Sequence, residues 1–181
     1  SLLVNRIAME LGRQLELPPN ELLQLNWGTL LHDIGKLGIS DAILLKQAKL
    51  TNEEYEIIQR HPLAGYEMLK GNSYLTSASL VVRYHHEKWD GNGYPDRLQG
   101  KQIPLLARIC GVADTVAAMA ADRPYRKAAS LASIIAELRA HAGSQFDPEI
   151  VDVFLAMPKN QGVIFPATAV QGEPQTIPAF T

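Results

Sequence analysis

Residues 30–36 (Leu-Leu-His-Asp-Ile-Gly-Lys) place a histidine beside a carboxylate at the end of an apolar segment. The apolar residues of this segment recur at helical spacing: Leu23, Trp27, Leu30, Leu31 and Ile34. Two adjacent polar groups in such a setting cost free energy unless a partner satisfies them. A divalent cation would do so, because imidazole and carboxylate are common metal ligands. An interior histidine hydrogen-bonded to its neighbours is the alternative interpretation, and other parts of the chain must decide between them.

Helix start and stop signals divide the chain into a series of helices. An amphipathic helix over 2–16 is followed by Pro18-Pro19, and a second helix is predicted over about 20–34, with Asn20 as its N-cap. Further helices are predicted over about 51–60, 61–68, 77–86, 105–121, 131–142 and 148–157. Strand signals are scarce. The prediction is an all-α bundle of about six to eight helices.

The composition changes after residue 157, where prolines become frequent, charges become few and the helical period ends. We therefore predict one helical domain over 1–157 and a Pro-rich, extended tail over 158–181. The chain begins at Ser1, inside a helical pattern and without an initiator methionine. The expectation is an N-terminus truncated from a longer protein, with a regulatory domain preceding Ser1.

Charge and cysteine content exclude several classes of partner. The formal net charge of -2 gives no general surface for a polyanion, so duplex nucleic acid is not an expected partner. A single cysteine, Cys110, rules out an intramolecular disulfide and a Cys-rich zinc site, and it suits a reducing, cytoplasmic location. No apolar run approaches the roughly 18–20 residues that span a bilayer.

Six potential metal ligands come at or near helix ends, or within an apolar helix: His32, Asp33, His61, His85, His86 and Asp114. Helix bundles build metal sites in this way, with ligands from several helices. Six ligands exceed what one cation usually takes, whereas two cations sharing a bridging carboxylate would use them, and Asp33 is the expected bridge. Paired cations about 3.5–4 Å apart are typical of phosphoester hydrolysis. A surface loop is the alternative interpretation for the adjacent pair His85-His86.

Five sequence elements stand in the order and approximate spacing of one known family. They are His32-Asp33-x-Gly35-Lys36, His61-Pro62 with Gly65, His85-His86-Glu87 with Asp90-Gly91-x-Gly93-Tyr94-Pro95, Asp114, and Arg123-Pro124-Tyr125-Arg126. Over about residues 3–157 the chain resembles the HD-GYP family of bacterial phosphodiesterases. This resemblance implies an HD-superfamily helical fold and a centre of two or three metals. It also implies hydrolysis of cyclic di-GMP to pGpG and often GMP, by a hydroxide that bridges two metals.

The resemblance also implies roles for individual residues. His32, Asp33 and Asp114 would hold one divalent metal, and Asp33, His61, His85 and His86 the other. Iron or manganese is the expected metal, with zinc, nickel or magnesium as alternatives. Lys36 resembles the family's residue beside the scissile phosphate, so Lys36 and Asp33 are the predicted catalytic pair; a solvated lysine is the alternative.

Three further residues are predicted to bind substrate. Arg123 and Arg126 resemble the family's phosphate-binding residues, and two guanidinium groups suit a dinucleotide with two phosphates. A plain salt bridge at the helix end is the alternative interpretation. Tyr94 belongs to the motif that names the family and would contact substrate, the loop itself or a partner protein. A GGDEF-domain protein and a second copy of the chain are the expected protein partners.

One position departs from the family pattern. Where the family usually has a further histidine on the first helix, this chain has Leu3, which offers no donor atom to a metal. The expectation is at most two metals and lowered activity. Three rival hypotheses follow: a domain that binds cyclic di-GMP or a partner protein without turnover, a hydrolase of another nucleotide, and a purely structural bundle.

Overall fold

The computed structural model describes residues 2–122, 127–157 and 164. Nine α-helices lie in these ranges: α1 (Leu2–Gln14), α2 (Pro19–Leu31), α3 (Asp41–Leu44), α4 (Asn52–Gln59), α5 (His61–Leu69), α6 (Thr76–Tyr84), α7 (Leu105–Ala120), α8 (Leu131–His141) and α9 (Pro148–Ala156). Only α3 is a single turn. No strand occurs in the described ranges, where the β-type pairing is limited to an isolated bridge between Ala142 and Phe146. The prediction of an all-α bundle is confirmed.

Local capping explains where several helices begin. The predicted capping box is present at α4, where the Glu54 amide donates to Thr51 Oγ1 at 3.3 Å and the Thr51 amide donates to the Glu54 carboxylate at 2.8 Å. At α9 the Glu149 amide donates to the Asp147 side chain at 2.9 Å, as a cap before Pro148 requires. Asn20 was the wrong N-cap for α2. That helix begins one residue earlier, because Pro19 suits the first helical position.

The buried face of α2 differs from the one that the apolar spacing indicated. Leu23 and Trp27 are 54% and 43% exposed, whereas Leu25 and Thr29 are fully buried. Gly28 accounts for the difference, since a Cβ atom there would lie 2.6 Å from Val81 Cβ on α6. The close approach of α6 at a glycine therefore decides which side of α2 faces the interior.

The core lies around α7, whose residues are apolar except for Arg108, Asp114 and Thr115. Helices α1, α2, α6, α8 and α9 all contact α7. Asp114 is thus held on a helix that five others surround. Burial of α7 makes it a rigid support for any ligand that it carries.

The predicted tail over 158–181 lies outside the described residues except for Ile164, which is buried against the core. The boundary at residue 157 therefore stays a prediction. No helix among the described residues combines the length and the apolar character needed to cross a bilayer.

Candidate metal centre

The fold brings the six predicted ligands to one place. His32 caps α2 at its C-terminal end, and Asp33 begins a 3₁₀ turn over Ile34–Gly38. His61 is the first residue of α5, as its position before Pro62 predicted. His85 caps α6, and Asp114 comes from the middle of α7.

The Asp33 carboxylate lies between two histidines. His61 Nε2 is 3.3 Å from Asp33 Oδ1, and His32 Nε2 is 3.5 Å from Asp33 Oδ2. His32 Nε2 also lies 3.8 Å from Asp114 Oδ1. Each oxygen of Asp33 thus faces a different imidazole, which is the arrangement that a bridging carboxylate needs.

A second group of ligand atoms is formed by His61, His85 and His86. One potential donor atom from each lies within 4.8 Å of the other two. His85 stands between the groups, since its ring centroid is 5.2 Å from that of His32 and 5.4 Å from that of His61. The alternative of a surface loop for His85-His86 is therefore wrong.

Backbone carbonyls orient three of the histidines in the same way, because Nδ1 lies within hydrogen-bond distance of the carbonyl oxygen three residues earlier. The pairs are His32 with Thr29 (2.7 Å), His61 with Ile58 (2.7 Å) and His85 with Val82 (2.9 Å). A carbonyl only accepts, so Nδ1 carries the proton and Nε2 of the neutral ring presents a lone pair to the centre.

This orientation creates an unfavourable contact in the protein alone. His61 Nε2 and His85 Nε2 lie 3.4 Å apart, and both are acceptors when their Nδ1 atoms hold the protons. Two acceptors at that distance repel each other unless a positive charge lies between them. The donor set therefore fits a cation, and a purely structural bundle does not explain it.

Burial keeps the rings of His85 and His86 neutral. Loss of solvation lowers the pKa of His85 well below its usual value, and the neighbouring histidines add to the effect. The same causes, burial first, lower the pKa of His86 to about 3. Neutral imidazole is the form that binds metal.

Lys36 lies beside Asp33, with Nζ 2.7 Å from Asp33 Oδ1, and its catalytic role stays a prediction. Burial opposes ionisation of Asp33, but the imidazoles of His61 and His32, where either carries a second proton, and the ammonium of Lys36 outweigh it. Together they hold the pKa of Asp33 well below its usual range. Asp33 is therefore ionised and available as a ligand.

Gly35 explains how the 3₁₀ turn approaches α5. A Cβ atom at Gly35 would lie 2.0 Å from the carbonyl oxygen of His61 and 2.6 Å from the amide nitrogen of Gly65. Only glycine fits between these backbones. The contact brings Asp33 and His61 together although they are 28 positions apart in the sequence.

Tyr94 packs against the centre. Its ring stacks on His86 with a centroid distance of 4.9 Å and an interplanar angle of 27°. The loop that carries Tyr94 is organised by Glu87, whose carboxylate accepts from the Asp96 amide at 2.7 Å and the Leu98 amide at 3.1 Å. Sequence reasoning gave Glu87 no role, and its adjacency to His85-His86 was the one signal that pointed to it.

A cavity of about 310 Å³ adjoins the centre and is lined in part by His85, His86, Asp114 and Tyr94. Arg108 also lines it, but its guanidinium forms a short ion pair with the buried Asp147. The cavity offers space for part of a nucleotide beside the potential metal ligands.

Arg123, Arg126 and Leu3 are the other residues that the sequence singled out. Arg123 and Arg126 lie outside the described residues, so their roles stay predictions. Leu3 is half-buried and packs against the hydrophobic core.

A profile of the HD domain family matches residues 2–150. The chain belongs to this family. The HD-GYP resemblance indicated by the five sequence elements is confirmed, because the similar proteins include phosphodiesterases of cyclic dinucleotides.

One relative is the cyclic di-GMP phosphodiesterase response regulator RpfG of Xanthomonas campestris, 42% identical over 154 residues, or 84% of this chain and 41% of that protein. Another is the 3'3'-cGAMP-specific phosphodiesterase 2 of Vibrio cholerae, 42% identical over 127 residues, or 69% of this chain and 24% of that protein. The chain thus spans less than half the length of both. A solved structure, a cyclic GMP-AMP-specific phosphodiesterase of Vibrio cholerae, shares the fold with a TM-score of 0.69 and 21% identity, covering 92% of this chain and 46% of that one.

Proposed function

We propose that this chain is a metal-dependent phosphodiesterase that hydrolyses cyclic di-GMP to pGpG, GMP or both. The observation that carries the proposal is the facing pair of Nε2 atoms on His61 and His85, with the Asp33 carboxylate beside them. The name of the Xanthomonas relative supports the choice of cyclic di-GMP as the substrate.

The HD domain implies divalent metal, and the donor set fits two ions. His32, Asp33 and Asp114 would hold one ion, and Asp33 would share the other with His61, His85 and His86. Iron or manganese is the proposed metal. Divalent ions at such a site activate water and neutralise charge on a phosphodiester.

The chain's own residues bind, orient and neutralise. Lys36, held against Asp33, is placed to donate a proton or a hydrogen bond to a phosphate oxygen as charge develops on it. Tyr94 would contact the bound nucleotide from the position that its stacking on His86 fixes. Arg123 and Arg126 would bind phosphate oxygens through their guanidinium groups.

The test is incubation of the purified protein with Mn²⁺ or Fe²⁺ and cyclic di-GMP, followed by chromatography of the nucleotides. We expect metal-dependent formation of pGpG or GMP, and its loss in Asp33→Ala. Binding of cyclic di-GMP without its consumption would instead support the signalling module, which the absence of a donor at Leu3 favours.

A second candidate substrate is a cyclic dinucleotide that contains adenine. One relative, 42% identical in sequence, is named as a 3'3'-cGAMP-specific phosphodiesterase. Competition between cyclic di-GMP and 3'3'-cGAMP at equal concentration decides between them. A faster loss of 3'3'-cGAMP would overturn the proposed substrate.

We place the activity in the cytoplasm, under the control of a regulatory domain that precedes Ser1. A GGDEF-domain protein and a second copy of this chain are the proposed protein partners.

A further inference from the structure

A second cavity, open and about 600 Å³ in volume, borders the metal centre at Tyr94. One wall is the end of α4 with the residue that follows it, Arg60, and the other is the loop over 91–97. Tyr94 lines this cavity as well as the 310 Å³ cavity, and its ring stacks on His86. The open cavity and the cavity at the centre therefore share Tyr94 as a wall.

The open cavity contains two arginines whose charges are not neutralised. Arg60 and Arg97 are both exposed, and within residues 2–122 and 127–157 neither guanidinium forms an ion pair. Nearby Arg83, by contrast, pairs with Asp96 at 2.9 Å. The carboxylate in the lining is that of Glu56, which is exposed and does not pair with Arg60. The excess of positive charge suits an anion.

Arg97 is held in position by the fold. Its φ of 56° is in the left-handed region, which is uncommon for a side chain of this size. Glu87 maintains that conformation, because its carboxylate accepts from the amides on both sides of Arg97, those of Asp96 and Leu98. A residue kept in an unfavourable conformation by its surroundings is a candidate for function.

The backbone of Arg60 is fixed next to a proposed metal ligand. It connects α4 and α5, and its amide donates to the Ile57 carbonyl at 3.2 Å. The next residue, His61, is a proposed metal ligand. The backbone of Arg60 thus has a fixed place relative to any bound phosphodiester.

We propose that Arg60 and Arg97 bind the second phosphodiester of a cyclic dinucleotide, the one that is not attacked at the metal centre. This inference rests on the proposed function. A cyclic dinucleotide has two phosphodiesters in one ring, so the second must lie near the centre when the first is bound there. Guanidinium groups recognise phosphate through paired hydrogen bonds.

The test compares two substrates that differ in the number of phosphodiesters. Cyclic di-GMP has two, whereas bis(p-nitrophenyl) phosphate has one. In the double variant Arg60→Ala/Arg97→Ala we expect KM for cyclic di-GMP to rise about tenfold or more, as loss of a hydrogen bond to a charged group predicts. KM for bis(p-nitrophenyl) phosphate should change by less than about twofold.

Two further variants make the comparison specific. Arg97→Lys keeps the charge but not the planar fork, so its KM for cyclic di-GMP should lie between that of the wild type and that of the double variant. Arg139→Ala is the matched control, because Arg139 is exposed on α8 and lines neither cavity. Metal content and thermal melts of each variant show whether the centre and the fold are intact.

Three outcomes overturn the inference: an equal rise in KM for both substrates, no change for either, or the same effect from Arg139→Ala. If the wild-type protein hydrolyses neither substrate, the proposed function fails. Calorimetric titration with cyclic di-GMP then tests the arginines separately, and affinity must fall in the double variant for the inference to stand.

Discussion

At the scale of single residues, the centre is defined by which nitrogen of each histidine points inward. Carbonyl oxygens fix the Nδ1 atoms of His32, His61 and His85, so their Nε2 lone pairs converge. A neutral His85, an ionised Asp33 and a nearby ammonium are what a site for cations and phosphate requires.

Removal of one of the facing imidazoles tests the centre directly. His61→Ala should lose at least one of the two proposed metals and lower phosphodiesterase activity by about a hundredfold or more, since even groups that only orient ligands are worth tenfold to a hundredfold. Metal analysis and the nucleotide assay measure both effects. His141→Ala is the control, because His141 lies on α8 and is close to half-exposed. Equal metal content in the two variants would contradict the site.

Protonation of the metal-free centre should affect stability. The pKa of His86 is about 3 in the folded protein against 6.5 for a free side chain. Between these values the unfolded chain binds more protons than the folded one, so the free energy of unfolding should fall as pH is lowered from about 6.5 towards 3.

Denaturant titration of the chelator-treated protein at several pH values measures this fall. The free energy of unfolding should decrease less steeply with falling pH in His86→Ala, because this variant has no imidazole at position 86 to protonate. A slope that is unchanged by the substitution would show that His86 does not contribute.

At the scale of elements, the site depends on close backbone contacts rather than on long helices. The 3₁₀ turn after α2 rests on the start of α5 at Gly35, and α6 rests on α2 at Gly28. The loop with Tyr94 is shaped by the buried carboxylate of Glu87. These contacts position ligands that no single helix could bring together.

A pair of glycines in the 3₁₀ turn tests this arrangement. Gly35→Ala should lower the free energy of unfolding by about 1–3 kcal/mol and weaken metal binding, because the added Cβ would overlap the His61 carbonyl. Gly38→Ala is the matched control, since a Cβ there would have no neighbour within 4 Å. Thermal melts and metal titrations of both variants measure the difference. Similar effects from the two substitutions would show that the contact at Gly35 is unimportant.

At the scale of the whole molecule, five helices surround α7, and the potential ligands come from α2, α5, α6, α7 and the turn after α2. Metal bound there would join parts of the chain that are distant in sequence. The stability of the molecule should therefore depend on the metal.

Metal removal should lower the melting temperature. One site occupied at a hundredfold excess over Kd contributes about 2.7 kcal/mol, which corresponds to several degrees in a chain of this size. Calorimetry before and after chelation measures the shift, and elemental analysis should find no more than two ions per chain, because Leu3 has no donor atom. Three ions per chain would contradict this prediction, and an unchanged melting temperature would favour a structural bundle.

The sequence alone indicated the helices and the six potential ligands, because capping, helical spacing and the chemistry of a side chain are local properties. The capping box at Thr51 and the helix start at His61 are examples. Arg60 and Arg97 had no local pattern to mark them, since their relation to Tyr94 depends on a loop and a helix end meeting in space.

Only the tertiary structure decided which face of α2 is buried. The apolar spacing indicated the face with Leu23 and Trp27, but that face is exposed in the folded protein. Glycines that admit a neighbouring backbone, and the carbonyls that orient each imidazole, set the final geometry. Such contacts join residues far apart in the chain, so their energies enter only when the helices have packed.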